Sequence, residues 1–127
     1  MSELVCLQLA IVLWFVHLFC QMGTAQTAFS RDYLFSSRDI AAEPANLTWG
    51  RASRAFRNYV ENLVAFIALD LGLIITHHSA WFAPTVWIIA RFVYLPLYLF
   101  DIIYARTVAA GIAMMSMLVM LWALVGL

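Results

Sequence analysis

Lysine is absent from this 127-residue chain, and charge of either sign is scarce: seven arginines and seven acids make up 11% of the residues and cancel to a formal net charge of zero. A soluble domain usually carries about one quarter charged residues, and a disordered chain is poor in Leu, Ile, Val and Phe. With 65% of its residues apolar, the sequence fits neither class. Lacking an excess of positive charge, it has no field with which to hold a phosphate backbone, which speaks against nucleic acid as a partner. Cysteine is nearly absent too. Cys6 and Cys20 lie in one apolar run, about 21 Å apart if that run is helical, so they cannot bridge within it. With no CxxC spacing, neither a disulfide framework nor a metal site has support.

What remains is hydrophobic length. The chain has room for one domain of roughly four spans of about 20 residues each. Run one holds only Gln8, His17 and Gln21 as markedly polar residues before Thr24. Its acidic start at Glu3 and its length argue for a retained helix rather than a secretory signal, which has a basic start and an apolar core of about 7 to 15 residues. Residues 25–53 are predicted to be a loop, with Arg31, Asp32, Arg38, Asp39, Glu43 and Pro44 in it. The predicted spans are 4–24, 54–76, 81–103 and 107–127, giving an all-α, four-helix integral membrane domain over residues 1–127. Met114, Met115, Met117 and Met120 read as packing filler, and His77-His78 as a polar turn. His17 reads as an interhelical hydrogen-bonding residue.

Basic residues near span ends stay on the cytoplasmic side. Arg31, Arg38, Arg51, Arg54 and Arg57 fall between runs one and two, and Arg106 falls between runs three and four. The expected orientation therefore has both Arg-bearing connections in the cytoplasm and both termini outside.

The polar residues inside the spans are the informative ones, because an Arg or Asp at a span centre costs about 2.5 to 3.5 kcal/mol on insertion scales. At about 100° per residue, Arg54, Asn58 and Glu61 share an arc of about 60°, and Ala65 extends that stripe with a small side chain. Arg91, Tyr94, Tyr98 and Asp101 fall within about 80° of one another on run three. Asp70 lies about 160° from Arg54 and is off the first stripe. The two stripes combine guanidinium, amide, carboxylate and phenol groups. They suit a small zwitterionic or anionic ligand, with Arg forks for carboxylates and Glu61 for an ammonium. They equally suit interhelical ion pairs, Glu61 or Asp70 with Arg91, that fix the bundle. Ion or proton conduction is a third use of such residues.

The stretch Arg54-Ala55-Phe56-Arg57-Asn58-Tyr59-Val60-Glu61-Asn62-Leu63-Val64-Ala65-Phe66 resembles the signature of the MAPEG family, membrane-associated proteins of eicosanoid and glutathione metabolism. The pattern is RA-x-x-N-x-x-EN-x-x-x-F. Ala90-Arg91-Phe92-Val93-Tyr94, then Tyr98, then Arg106-Thr107, resembles the family's third-helix and third-loop signature. The likeness covers almost the whole chain and is to short bacterial members. It implies a homotrimer in a bacterial inner membrane, termini periplasmic, with glutathione held between subunits near the cytoplasmic face.

Carried over position by position, the resemblance implies that Arg54, Asn58 and Glu61 contact the peptide, with Arg57 at a position that is also basic in some relatives. Tyr98 matches the third-helix tyrosine, Tyr94 stands where relatives have His or Tyr, and Arg91 belongs to the same binding set. By the same resemblance either Arg31 or Arg38 would supply the first-loop arginine, and Arg38 is counted with the binding set. Arg106 matches the arginine that favours thiolate over thiol, which is the implied catalytic step. The activity expected is glutathione-dependent transfer to a lipophilic electrophile, or reduction of a hydroperoxide. Phe56 stands where eicosanoid-type members have His, and Asn62 where some have Tyr. The alternative is a non-catalytic membrane protein whose polar residues serve helix pairing and trimer assembly.

Overall fold

Glu3 to Ala28 form one long helix, α1, whose start is fixed by Ser2: its hydroxyl accepts from the Val5 amide at 3.3 Å, and Glu3 complements the helix dipole in the first turn. A single turn, α2, covers Arg31–Leu34 and is capped in the same way by Ser30. The spans continue as α3 (Thr48–Thr76), α4 (Ala83–Leu99) and α5 (Ile103–Val125). This computed structural model describes residues 1–126, so the end of the predicted fourth span, Leu127, lies outside the described residues.

The helices run alternately up and down. α1 packs along α3, α4 packs along α5, and α3 also touches both α4 and α5. In lipid there is little hydrophobic drive between spans, so close van der Waals packing must hold them together. Small residues supply it: Ala10, Ala52, Ala55 and Ala113 are buried at helix crossings. A Cβ on Gly72 would stand 3.0 Å from Leu124 Cδ2, which fixes how near α5 lies to α3. The centre is aromatic, with Phe66 stacked on Trp87 at 3.9 Å and Tyr59 5.8 Å from Trp87. The opposite surfaces are apolar and exposed, Phe19, Val64, Ile75, Phe92 and Trp122 among them. Three helices are long and apolar enough to cross a membrane, and α4 is a shorter apolar helix of 17 residues. The chain is an integral membrane protein with a four-helix bundle.

The predicted spans and the helices agree at the end of α3 and differ at several other ends, α1 running on to Ala28 and α5 starting at Ile103. α4 stops at Leu99 rather than 103 because Ile102 N–H bonds to Leu97 O and Asp101 N–H to Tyr98 O, with Asp101 left-handed at φ 58°. This is a Schellman closure, made by an aspartate where glycine is usual. It lifts Asp101 off the helical stripe that contains Arg91, Tyr94 and Tyr98. α3 closes likewise at His77, with φ 57° and His78 N–H bonded to Leu73 O. α3 also begins at Thr48, six residues ahead of the predicted span, so Arg51, Arg54 and Arg57 are helical rather than divided between loop and span.

Candidate functional site

The exposed and buried faces of α3 divide the predicted residues. Ala52, Ala55, Tyr59, Leu63 and Phe66 are buried, whereas Arg54, Arg57, Glu61 and Ala65 are exposed on the far side. Asn58 sits half-buried at the border. Arg57 and Glu61 line a groove of about 400 Å³ between α1 and α3, together with Gln21, Trp49 and Phe56. Gln21 Nε2 donates to Ser53 Oγ at 3.1 Å and ties the two helices at that level.

Arg91 lies behind this face. Only 1% of it is exposed, and its Nη2 donates to Asn58 Oδ1 at 2.7 Å. The guanidinium carbon stands 4.6 Å from the Tyr94 ring centre and 5.6 Å from that of Tyr59. A buried guanidinium needs donors satisfied and charge compensated, and aromatic faces with an amide oxygen provide part of both. Among the described residues no carboxylate lies within ion-pair distance of Arg91. The expected interhelical pairs with Glu61 or Asp70 are therefore not formed: Glu61 is on the outward face, and Asp70, fully buried on the inward face, makes no hydrogen bond. His17 also departs from expectation. Neither ring nitrogen has a partner, and the ring stacks on Tyr59 at 4.5 Å.

From Arg91 a ladder of two rings between two guanidiniums runs toward the Arg-bearing end. Tyr94 and Tyr98 have ring centres 5.6 Å apart, and the Arg106 guanidinium carbon lies 4.5 Å from the Tyr98 ring centre. Asp101 draws two cations together, with Arg51 Nη2 at 3.7 Å and Arg106 Nη1 at 4.0 Å. Arg51 Nη1 also donates to Leu99 O at 3.3 Å. Arg106 is thus held at the junction of α3, α4 and α5.

In the first loop, Arg38 is left-handed at φ 57°, donates through Nη2 to Leu34 O at 2.9 Å, and lines a second pocket of about 310 Å³ with Tyr33, Gln21 and Trp49. Gln21 and Trp49 border both pockets, so Arg38 neighbours the groove that holds Arg57 and Glu61. Arg31 lines neither pocket. Among the described residues no cluster of three His, Cys, Asp or Glu side chains could hold a metal.

The family model described as the MAPEG family matches residues 4–126. The chain belongs to the MAPEG family. No curated protein and no solved structure matches it. In this MAPEG chain, Arg54, Arg57, Asn58 and Glu61 share one surface, while Arg91 and Tyr94 are buried behind it and Tyr98 and Arg106 form the ladder's outer end. Sequence reasoning missed Tyr59 and Arg51 as organisers of the site, and placed Asp101 on the Arg91 stripe rather than between Arg51 and Arg106. Tyr59 did carry a signal: it is a polar-tipped aromatic on the face of α3 opposite the arginines, and its hydroxyl donates to the Ala10 carbonyl across the bundle.

Proposed function

We propose that this MAPEG protein is a glutathione-dependent transferase or peroxidase that acts on lipophilic electrophiles or hydroperoxides. The observation that carries the reading is the outward face of α3, where Arg54, Arg57 and Glu61 stand exposed beside the apolar Val60 and Val64. Charged side chains on a membrane helix face a partner, a ligand or water rather than hydrocarbon. A second copy and a polar ligand between copies would cover them, in keeping with a homotrimer. Glutathione has the matching chemistry: its carboxylates suit the Arg54 and Arg57 forks, and its ammonium suits Glu61. Arg38 borders the same region from the loop side, and Tyr98 gives an apolar wall with a hydroxyl tip.

Glutathione would supply the sulfur nucleophile, and Arg106 would favour its thiolate form. Conjugation then joins sulfur to carbon as the leaving group departs with its electron pair. Peroxide reduction converts a hydroperoxide and two thiols into alcohol, water and a disulfide. The electrophile would arrive through the bilayer, in a bacterial inner membrane with the Arg-bearing end in the cytoplasm and the termini in the periplasm.

A thermal-shift titration of detergent-purified protein tests the reading. Millimolar glutathione should raise the melting temperature, and Glu61→Gln should remove most of that rise. Arg106→Ala should keep the rise while losing conjugation of an aryl halide. No rise with the unsubstituted protein would end the proposal. A second reading has its own observation: Arg106 is already engaged by Asp101 and Tyr98, as a purely structural arginine would be. Under that reading the protein is non-catalytic, and Arg54→Ala or Glu61→Gln would weaken assembly with or without glutathione.

A further inference from the structure

We infer that Arg91 is a positioning residue that locks the Asn58 amide with its NH₂ turned outward, making Asn58 a donor-only contact for an anionic acceptor on the ligand. The inference rests on the glutathione reading for the identity of the ligand, but its geometric part stands without it.

Arg91 is 1% exposed, so a ligand on the outer face of α3 does not reach it. A guanidinium has donors and no acceptor. Whatever faces its Nη2 at 2.7 Å must therefore be the amide oxygen of Asn58, never the nitrogen. The planar amide then directs its NH₂ away from Arg91. That nitrogen makes no hydrogen bond among the described residues and is not one of the buried unpaired atoms, so it retains accessible surface. The neighbouring amide does not compete for the same role, because Asn62 Nδ2 donates to the Asn58 backbone carbonyl at 2.8 Å. A charge-assisted hydrogen bond favours this amide orientation over the flipped one by roughly ten- to a hundredfold.

The lock is itself held. Tyr94 and Tyr59 flank the guanidinium at 4.6 and 5.6 Å. Tyr59 is anchored by its bond to the Ala10 carbonyl and by His17 stacked at 4.5 Å. The orientation of one half-buried amide on α3 is thus set from α4 and α1. On the outer surface the sequence of contacts along α3 becomes cation (Arg54), neutral donor (Asn58), anion (Glu61). A carboxylate fits between the first two, with an ammonium one turn further on.

A double-mutant cycle on glutathione binding, measured calorimetrically in detergent, tests the coupling. Arg91→Met and Asn58→Ala should each weaken binding about tenfold, and the double variant should be no weaker than either alone. Arg91→Lys, which keeps a buried donor-only cation, should recover at least half of the lost affinity on a logarithmic scale. Independent, multiplicative losses near a hundredfold in the double variant would mean that Arg91 acts only on the general integrity of the bundle, and would overturn the inference. A ligand-free arm separates this from the function itself. In protein labelled with ¹⁵N-asparagine at Asn46, Asn58 and Asn62, the Asn58 NH₂ resonances should shift and broaden in Arg91→Met and stay sharp in Arg91→Lys. Unchanged resonances in Arg91→Met overturn the positioning role. Shifted resonances in a protein that binds no glutathione would uphold the lock and end the glutathione reading.

Discussion

Trp87→Ala is expected to be among the most damaging truncations in the chain, and the structure supplies its size. Trp87 is fully buried, stacked on Phe66 at 3.9 Å and 12° and within 5.8 Å of Tyr59. Because lipid tails are as apolar as the core, the loss comes mainly from the cavity and the forfeited contacts rather than from transfer to water. Truncation removes about 140 Å³, which at about 24 cal/mol per Å³ of unrelaxed cavity gives about 3 kcal/mol. Two controls sharpen the expectation. The Trp87 indole N–H has no partner among the described residues, so Trp87→Phe discards an unpaired donor while leaving a smaller void. These effects offset, and that variant should stay within about 1 kcal/mol of the parent. Trp122, by contrast, is 58% exposed, and lipid or detergent fills the space it leaves, so Trp122→Ala should cost under about 0.5 kcal/mol. Reversible unfolding in mixed micelles with rising dodecyl sulfate, followed by far-ultraviolet circular dichroism, reads all three. Equal stability of Trp87→Ala and Trp122→Ala would refute the packing argument, as would a Trp87→Phe variant as weak as Trp87→Ala.

His77 closes α3 in the left-handed region at φ 57° and is exposed, so His77→Gly should stabilise by about 0.5 to 1 kcal/mol; a fall in the same assay would show that the imidazole has a partner at this turn. Asp70 is fully buried with neither oxygen hydrogen-bonded among the described residues, and Asp70→Leu should therefore stabilise by about 1 to 3 kcal/mol, whereas a loss would reveal a ligand or water that the carboxyl serves. Cys20 is partly exposed and Cys6 is fully buried. A membrane-permeant maleimide should label Cys20 several-fold faster, as read by mass spectrometry of the Cys6→Ser and Cys20→Ser variants, and the reverse order would contradict the facing of α1.

Much of the bundle was legible because hydrocarbon imposes a coarse rule: long apolar stretches poor in charge become helices, and the four runs did. The division of α3 into an outward Arg54–Glu61 face and an inward Asp70 face also follows from helical periodicity alone, and the structure has Arg54 exposed and Asp70 buried accordingly. What could not be read were choices made between helices. Of the uses open to Arg91, one paired it with Glu61 or Asp70, since charge attracts charge. It instead takes a neutral amide oxygen and two aromatic faces, because the acids occupy other faces of α3 while Asn58 stands directly across from α4. Asp101 was expected to follow Tyr98 around the helix, and a left-handed backbone turn, which residue spacing does not encode, carries it to Arg51 and Arg106. His17 and Tyr59 illustrate the same limit, since stacking between α1 and α3 depends on the register of two helices rather than on either alone.

The brevity of α4 has a mechanical consequence for the bilayer. Its 17 helical residues reach about 25 Å, whereas a hydrocarbon core is about 30 Å thick and α1, α3 and α5 exceed that length. A span shorter than the hydrocarbon core is accommodated by its apolar flanks, here Trp81, Phe82 and Phe100, by burial against another copy, or by thinning of the bilayer beside it. Thinning at the closed end of α4 would bring water and lipid headgroups down to Tyr98, Asp101 and Arg106, and under the proposed glutathione reading a water-borne thiol and a lipid-borne electrophile would meet there without either leaving its own phase.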